Sequence, residues 1–102
     1  MTPFIFARAA EIELREAIDY YNREKPGLGK QFSAAIDAGI DEVLEHPRRW
    51  PILTGNKRRY RLNKFPYGLV YRIAKDRILF IAVMHLNRRP GYWRGREAEF
   101  ET

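Results

Sequence analysis

The sequence has no cysteine, which removes disulfides, thiolate chemistry and the common structural zinc sites. Its two histidines are too few for a histidine-rich metal site, so no metal and no other cofactor is expected. No apolar run approaches the roughly 18–20 residues that a membrane span needs. The N-terminal stretch Met1-Thr2-Pro3-Phe4-Ile5-Phe6-Ala7-Arg8 lacks the basic-then-apolar order of a secretory signal. Gly 7 and Pro 6 in 102 residues exclude collagen-like and low-complexity classes. With 45% hydrophobic and 31% charged residues, the chain reads as one ordered domain, 1–102. It is expected in the cytoplasm, away from membranes and held by packing alone. A core of this size is marginal, so a stabilising partner is expected too.

Acidic residues are scarce in one part of the chain. Residues 1–46 carry 5 Lys/Arg and 9 Asp/Glu, whereas residues 47–102 carry 14 Lys/Arg and 4 Asp/Glu, a split of −4 against +10. Between Pro47 and Arg96 the single acid is Asp76. Such a stretch predicts a positive face that attracts a polyanion or an acidic protein.

Periodicity supplies the elements. Thr2 to Phe6 is short and apolar and reads as a first strand. From Ala7 to Glu24, Ala10, Leu14, Ala17, Ile18 and Tyr21 recur at steps of three and four, which is one helical face. Pro26-Gly27-Leu28-Gly29 turns the chain. A second helix is predicted from Leu28 to Glu45, with the stripe Phe32, Ala35, Ile36, Gly39, Ile40, Val43 and Leu44. Gly39 inside that stripe implies close approach of a neighbour, expected to be the first helix. His46-Pro47 ends the second helix.

The remainder is strand-like. Pro51-Ile52-Leu53 is a short candidate, and Gly55-Asn56 marks a turn. In Lys57 to Leu62, Arg59 and Arg61 face one way and Arg58, Tyr60 and Leu62 the other. Phe65-Pro66-Tyr67-Gly68 interrupts the pattern before a strand from Leu69 to Ala74. Ile78 to His85 is the last strand. Its run Ile78-Leu79-Phe80-Ile81-Ala82-Val83-Met84 is apolar throughout, as expected of a strand covered on both faces, or of one half-covered by a partner. The fold class is α+β: an N-terminal strand, an antiparallel helical hairpin, then an antiparallel β-meander.

These residues resemble the RelE/ParE superfamily of toxins from bacterial type II toxin–antitoxin (plasmid stabilisation) modules, over essentially the whole chain. Glu16-Ala17-Ile18-Asp19-Tyr20-Tyr21 is similar to an element of the family's first helix. Pro26 to Phe32 resembles its turn and second-helix start, and His46-Pro47 with Trp50-Pro51 its post-helix loop. Arg58-Arg59, Phe65-Pro66-Tyr67 and Leu69-Val70-Tyr71 resemble the meander. His85, Arg88-Arg89-Pro90 and Tyr92-Trp93 resemble the closing segment. The resemblance implies a toxin neutralised by an acidic antitoxin. ParE-like members bind DNA gyrase without chemistry, and RelE-like members cut mRNA in the ribosome. A degenerate, non-toxic member is a third reading.

A nuclease needs a general base, a general acid and cations around the phosphate. Matched to RelE-like nucleases, two lysines fall at Arg59 and Arg61. One arginine falls at Gly68 and is absent, and another falls at Arg88. The terminal tyrosine has a shifted counterpart in Tyr92. Guanidinium groups transfer protons poorly, which leaves His85 as the group suited to titrate near neutral pH. A nuclease would therefore use His85, Arg88, Arg61 and Tyr92. The ParE-like reading is favoured, with Arg59, Arg61, Arg88, Arg89, Tyr92 and Trp93 as the target-binding surface. Tyr21, Phe32, Ile36 and Ile40 are expected to meet the antitoxin. Plainer roles stand beside these: His85 as a hydrogen-bonding strand end, Tyr92 and Trp93 as a lid over the sheet edge, and the arginines as a solvated tail.

Overall fold

The computed structural model describes residues 2–100. Pro3 has no N–H for a ladder, and the first strand, β1, begins after it, at Phe4–Phe6. Helix α1 follows at Arg8–Glu24, and α2 spans Leu28–Glu45, the bounds that periodicity predicts. The meander comprises β2 (Ile52–Thr54), β3 (Lys57–Arg61), β4 (Tyr67–Ile73) and β5 (Ile78–His85). A short 3-10 turn, Arg96–Phe100, closes the described chain.

The five strands lie in the order β1-β5-β4-β3-β2. All neighbours are antiparallel except β1, which docks parallel to the outer side of β5. Phe6 stacks on Phe80 at 4.9 Å and Phe4 meets it edge-on at 5.7 Å, which fixes β1 there. Strand β4 starts two residues before the predicted Leu69. Tyr67 accepts from the Leu62 N–H, and Pro66 accepts from the Leu86 N–H, so the ladder runs through the Phe-Pro-Tyr-Gly segment.

Both helices pack on one face of the sheet. Their core joins Phe32, Ile36, Ile40 and Val43 of α2 to Leu69, Tyr71, Ile78, Phe80 and Val83. Phe32, Ile36 and Ile40, expected to meet an antitoxin, are therefore buried by the protein's own sheet. A helical stripe reveals which face is buried but not against what. Tyr21 stays half-buried, among Phe32, Phe65 and Tyr67. The neighbour that Gly39 admits is likewise not α1. A Cβ there would stand 2.8 Å from the Tyr60 ring and 3.2 Å from Leu69. Gly39→Ala is therefore expected to cost about 1–3 kcal/mol by overpacking, read as a lower midpoint in a urea melt. An unchanged midpoint would mean that Tyr60 moves aside freely.

The opposite face has its own core of Val70, Leu79, Ile81, Ala82, Met84 and Trp93, flanked by Leu53, Ala74, Tyr92 and Phe100. The apolar run of β5 is thus covered on both faces, and the second cover is the C-terminal segment rather than a partner. Trp93, expected to contact a target, is 2% exposed and belongs to this core.

Carboxylates hold that segment down. Glu97 bridges Lys57 of β3 and Arg72 of β4. Glu99 accepts from the Arg8 N–H at 2.9 Å, which supplies the cap that Ala7 lacks at the start of α1. Arg96 forms a two-pronged pair with Glu13 of α1.

Candidate functional site

The sequence-predicted residues fall into two places. Alternation along β3 sets Tyr60 against α2, so Lys57, Arg59 and Arg61 point to the other face. The register pairs Arg59 with Val70 and Arg61 with Gly68. The stem of Arg59 lies across β4 at Gly68, where a Cβ would come within 3.0 Å of its Cγ. An arginine at 68, the nuclease-like residue absent from this chain, would meet that stem. Burial, and then the neighbouring charge of Arg61, lower the pKa of Arg59. Arg59 and Arg61 border a cavity of about 280 Å³ whose other walls are Trp50, Pro51, Ile52 and Leu53.

His85 lies on the helical face. It pairs in register with Tyr67, and the two rings meet edge-on at 5.0 Å. Its Nδ1 accepts from the Asn87 N–H at 3.1 Å, a hydrogen bond at the strand end. His85 lines a cleft of about 250 Å³ with Glu13, Glu16, Tyr20, Tyr67, Arg88 and Tyr92 among its walls. The Arg88 guanidinium stacks 3.7 Å from the centre of the Tyr92 ring.

The hydroxyl of Tyr92 donates to Glu13 at 2.7 Å. Burial first, and then this hydrogen bond to a carboxylate, push the Tyr92 pKa well above the usual range for tyrosine. Its proton is held, which suits a structural donor and not a base. Glu13 also accepts from the Val83 N–H at 3.0 Å, and Arg96 donates to the Ile81 carbonyl at 3.1 Å. Glu13 and Arg96 thereby satisfy the β5 edge just beyond the end of β1.

The structure brings His85, Arg88 and Tyr92 around one cleft, and Arg59 and Arg61 around another cavity on the opposite face of the sheet. Arg89 is exposed in the turn after β5. A constellation of His85 with Arg61 about one phosphate is not assembled. Among the described residues, no group of three His, Asp or Glu side chains could hold a metal ion, and no helix is long and apolar enough to cross a membrane.

Sequence reasoning missed two contributors. Glu13 reads as one more charge on a surface helix, with no local signal. Pro51-Ile52-Leu53 does carry a local signal, because it is an apolar triplet, its last two residues on β2, in an otherwise basic stretch.

The family model described as "ParE toxin of type II toxin-antitoxin system, parDE" matches residues 4–90. Among solved structures, a chain from the chromosomal ParDE toxin–antitoxin system of P. aeruginosa has the same fold, with a TM-score of 0.75. The two sequences are 15% identical, and the match covers 85% of this chain and 98% of that one. A search of curated proteins found no significant match.

Proposed function

The chain belongs to the ParE toxin family of type II toxin–antitoxin systems, and on that premise we propose that it arrests growth by binding DNA gyrase through the basic face of β3, with a cognate antitoxin as its neutralising partner. One observation carries the reading. Four cations stand on this face, and the protein neutralises two of them itself: Glu97 holds Lys57 and Arg72. Among the described residues, no carboxylate lies within salt-bridge distance of Arg59 or Arg61. A charged face left open in this way steers an acidic partner and fixes its register.

The mRNA endonuclease reading is weaker on chemical grounds. It needs a proton-transfer group and cations around a single phosphate, and the sheet separates His85 from Arg61. With Phe32, Ile36 and Ile40 buried, the antitoxin surface is assigned instead to the exposed apolar groups of β1 and α1, Phe4, Ile5, Ile12 and Tyr20. An antitoxin segment that folds there would stabilise the toxin by mass action.

The test is a gyrase supercoiling assay with the purified chain, alone and with the protein encoded by the adjacent reading frame. Inhibition is expected from the chain alone and should be relieved by the partner. Reversing Arg59 and Arg61 to glutamate should raise the inhibitory concentration by about tenfold or more, since lost and repelling charge pairs each cost over 1 kcal/mol. Full supercoiling at saturating toxin, together with mRNA cut in growing cells, would replace this reading with the nuclease one.

A further inference from the structure

The cavity beside Arg59 and Arg61 differs in character from the rest of the basic face. Its far wall is aliphatic and aromatic: Trp50, Pro51, Ile52 and Leu53. Ile52 pairs in register with Arg58, so its side chain shares the face of Arg58, and the apolar side chains turned toward Arg59 and Arg61 are the exposed Pro51 and the half-buried Leu53. Leu53 sits on β2, which ends the sheet, so among the described residues its outer backbone edge has no strand beside it. Leu53 joins this wall to the core beneath Trp93, so the cavity is an open margin of packed apolar structure.

The opposite wall is unneutralised charge. Arg59 is partly withdrawn from water, with its stem over Gly68 and a second guanidinium two residues away. Taking a cation out of water without a counter-charge is unfavourable. The same chain avoids that state one row along, where Glu97 serves Lys57 and Arg72. The C-terminal segment thus supplies a carboxylate to one half of the basic face and leaves the other half facing the cavity.

We propose that this cavity is the anchor point for the toxin's target. It takes one aliphatic side chain from an extended acidic protein segment, whose carboxylates on either side pair with Arg59 and Arg61. The assignment to the target rests on the function proposed above; the binding chemistry does not. In an extended segment, residues two apart point the same way and lie roughly 7 Å apart. An acid, an aliphatic residue and a second acid at alternate positions put the two carboxylates roughly 13 Å apart, and Arg59 and Arg61, two residues apart on one strand, meet both by splaying their long side chains to either side of the apolar residue. The free edge of β2 offers backbone pairing to the same segment. A nucleic acid backbone would satisfy the arginines but leave the wall of Pro51 and Leu53 without a partner.

The experiment follows the indole N–H of Trp50 and the amides of Ile52 and Leu53 by NMR in the full chain, with Trp50→Phe assigning the indole signal. The probe is a capped peptide with the central sequence Glu-Thr-Leu-Thr-Glu. The controls are its Lys-Thr-Leu-Thr-Lys and Glu-Thr-Ser-Thr-Glu counterparts and oligouridylate. Saturable shifts at these three residues are expected with the first peptide only. Arg59→Glu with Arg61→Glu, and separately Pro51→Asp, should each weaken binding by about tenfold or more. Pro51 is exposed and precedes β2, so Pro51→Asp is expected to fold, and an unchanged melting temperature confirms it.

Absence of saturable shifts with the acidic leucine peptide overturns the proposal. So does equal binding of the serine peptide, or oligouridylate occupying the site in place of the peptide. If the chain inhibits gyrase and Pro51→Asp inhibits equally well, the cavity is not the anchor for that target and the proposal fails. If peptide binding behaves as expected but the chain leaves gyrase untouched, the gyrase reading falls and the acidic-segment site stands.

Discussion

Replacing Trp93 with alanine is expected to destabilise the fold by about 3–5 kcal/mol, the usual cost of emptying a buried tryptophan site. Trp93 is 2% exposed and lies among Val70, Leu79, Ile81, Ala82 and Met84. It is the largest group that the C-terminal segment inserts into the open face of the sheet. Without it, those side chains face a void or water, and the clips at Arg96, Glu97 and Glu99 lose the anchor between them. Domains of this size have only about 5–15 kcal/mol in total, so the variant should melt tens of degrees lower or fail to fold at 37 °C, roughly 4–8 °C being lost per kcal/mol.

Trp93→Phe separates packing from polarity. The indole Nε1 of Trp93 is buried with no hydrogen-bond partner, and such a donor costs about 1–3 kcal/mol. Phenylalanine removes that donor and keeps most of the apolar volume, so its net change should stay within about 1.5 kcal/mol. Paired urea melts of the two variants decide the matter. An alanine variant within 1 kcal/mol of wild type would mean that the segment contributes little and that the sheet face is normally open.

The contrast between β5 and its cover shows what the sequence could and could not reveal. The uninterrupted apolar run of Ile78 to Met84 announces two covered faces by composition alone. The identity of the second cover depends on Glu13 meeting Arg96 and Arg8 meeting Glu99, pairs joined by no local pattern. The helices were legible because a stripe at steps of three and four is a local property. The placement of β1 beside β5 was not, since three residues carry no register information until Phe4 and Phe6 find Phe80. The candidate site was half legible. Period two along β3 correctly puts Arg59 and Arg61 on one face, but the relation of His85 to them needs the pairing of Arg61 with Gly68 and of Tyr67 with His85. Only that register shows that the histidine and the arginines occupy opposite faces.

Glu13→Gln is the second change with a large expected effect, although it alters a single oxygen. The Glu13 carboxylate accepts from the Val83 N–H, the Tyr92 hydroxyl and both terminal nitrogens of Arg96, all within 3.0 Å. Every one of these partners is a donor, and a carboxylate is the side chain that can accept from them all. Glutamine places an N–H₂ where an acceptor is required and leaves Arg96 without its counter-charge. The two side chains retain 14% and 18% exposure, so the loss should be about 3 kcal/mol, near the lower end for breaking a buried pair. Glu16→Gln, in the same cleft but exposed, should stay within about 0.5 kcal/mol.

Two further readouts distinguish the network from a generic loss of stability. The Tyr92 pKa is raised by burial and then by Glu13, so removing the carboxylate charge should bring the tyrosinate transition to lower pH in spectrophotometric titration. Arg88 stacks on that same ring, so loosening Tyr92 also loosens a cation that shares the cleft with His85. A double-mutant cycle of Glu13→Gln with Arg96→Gln should give a coupling of about 1–3 kcal/mol, as expected of residues in one hydrogen-bonded network. Additive effects would mean that the pair does not join α1 to the C-terminal segment, and that Trp93 with the Glu97 and Glu99 contacts holds it in place.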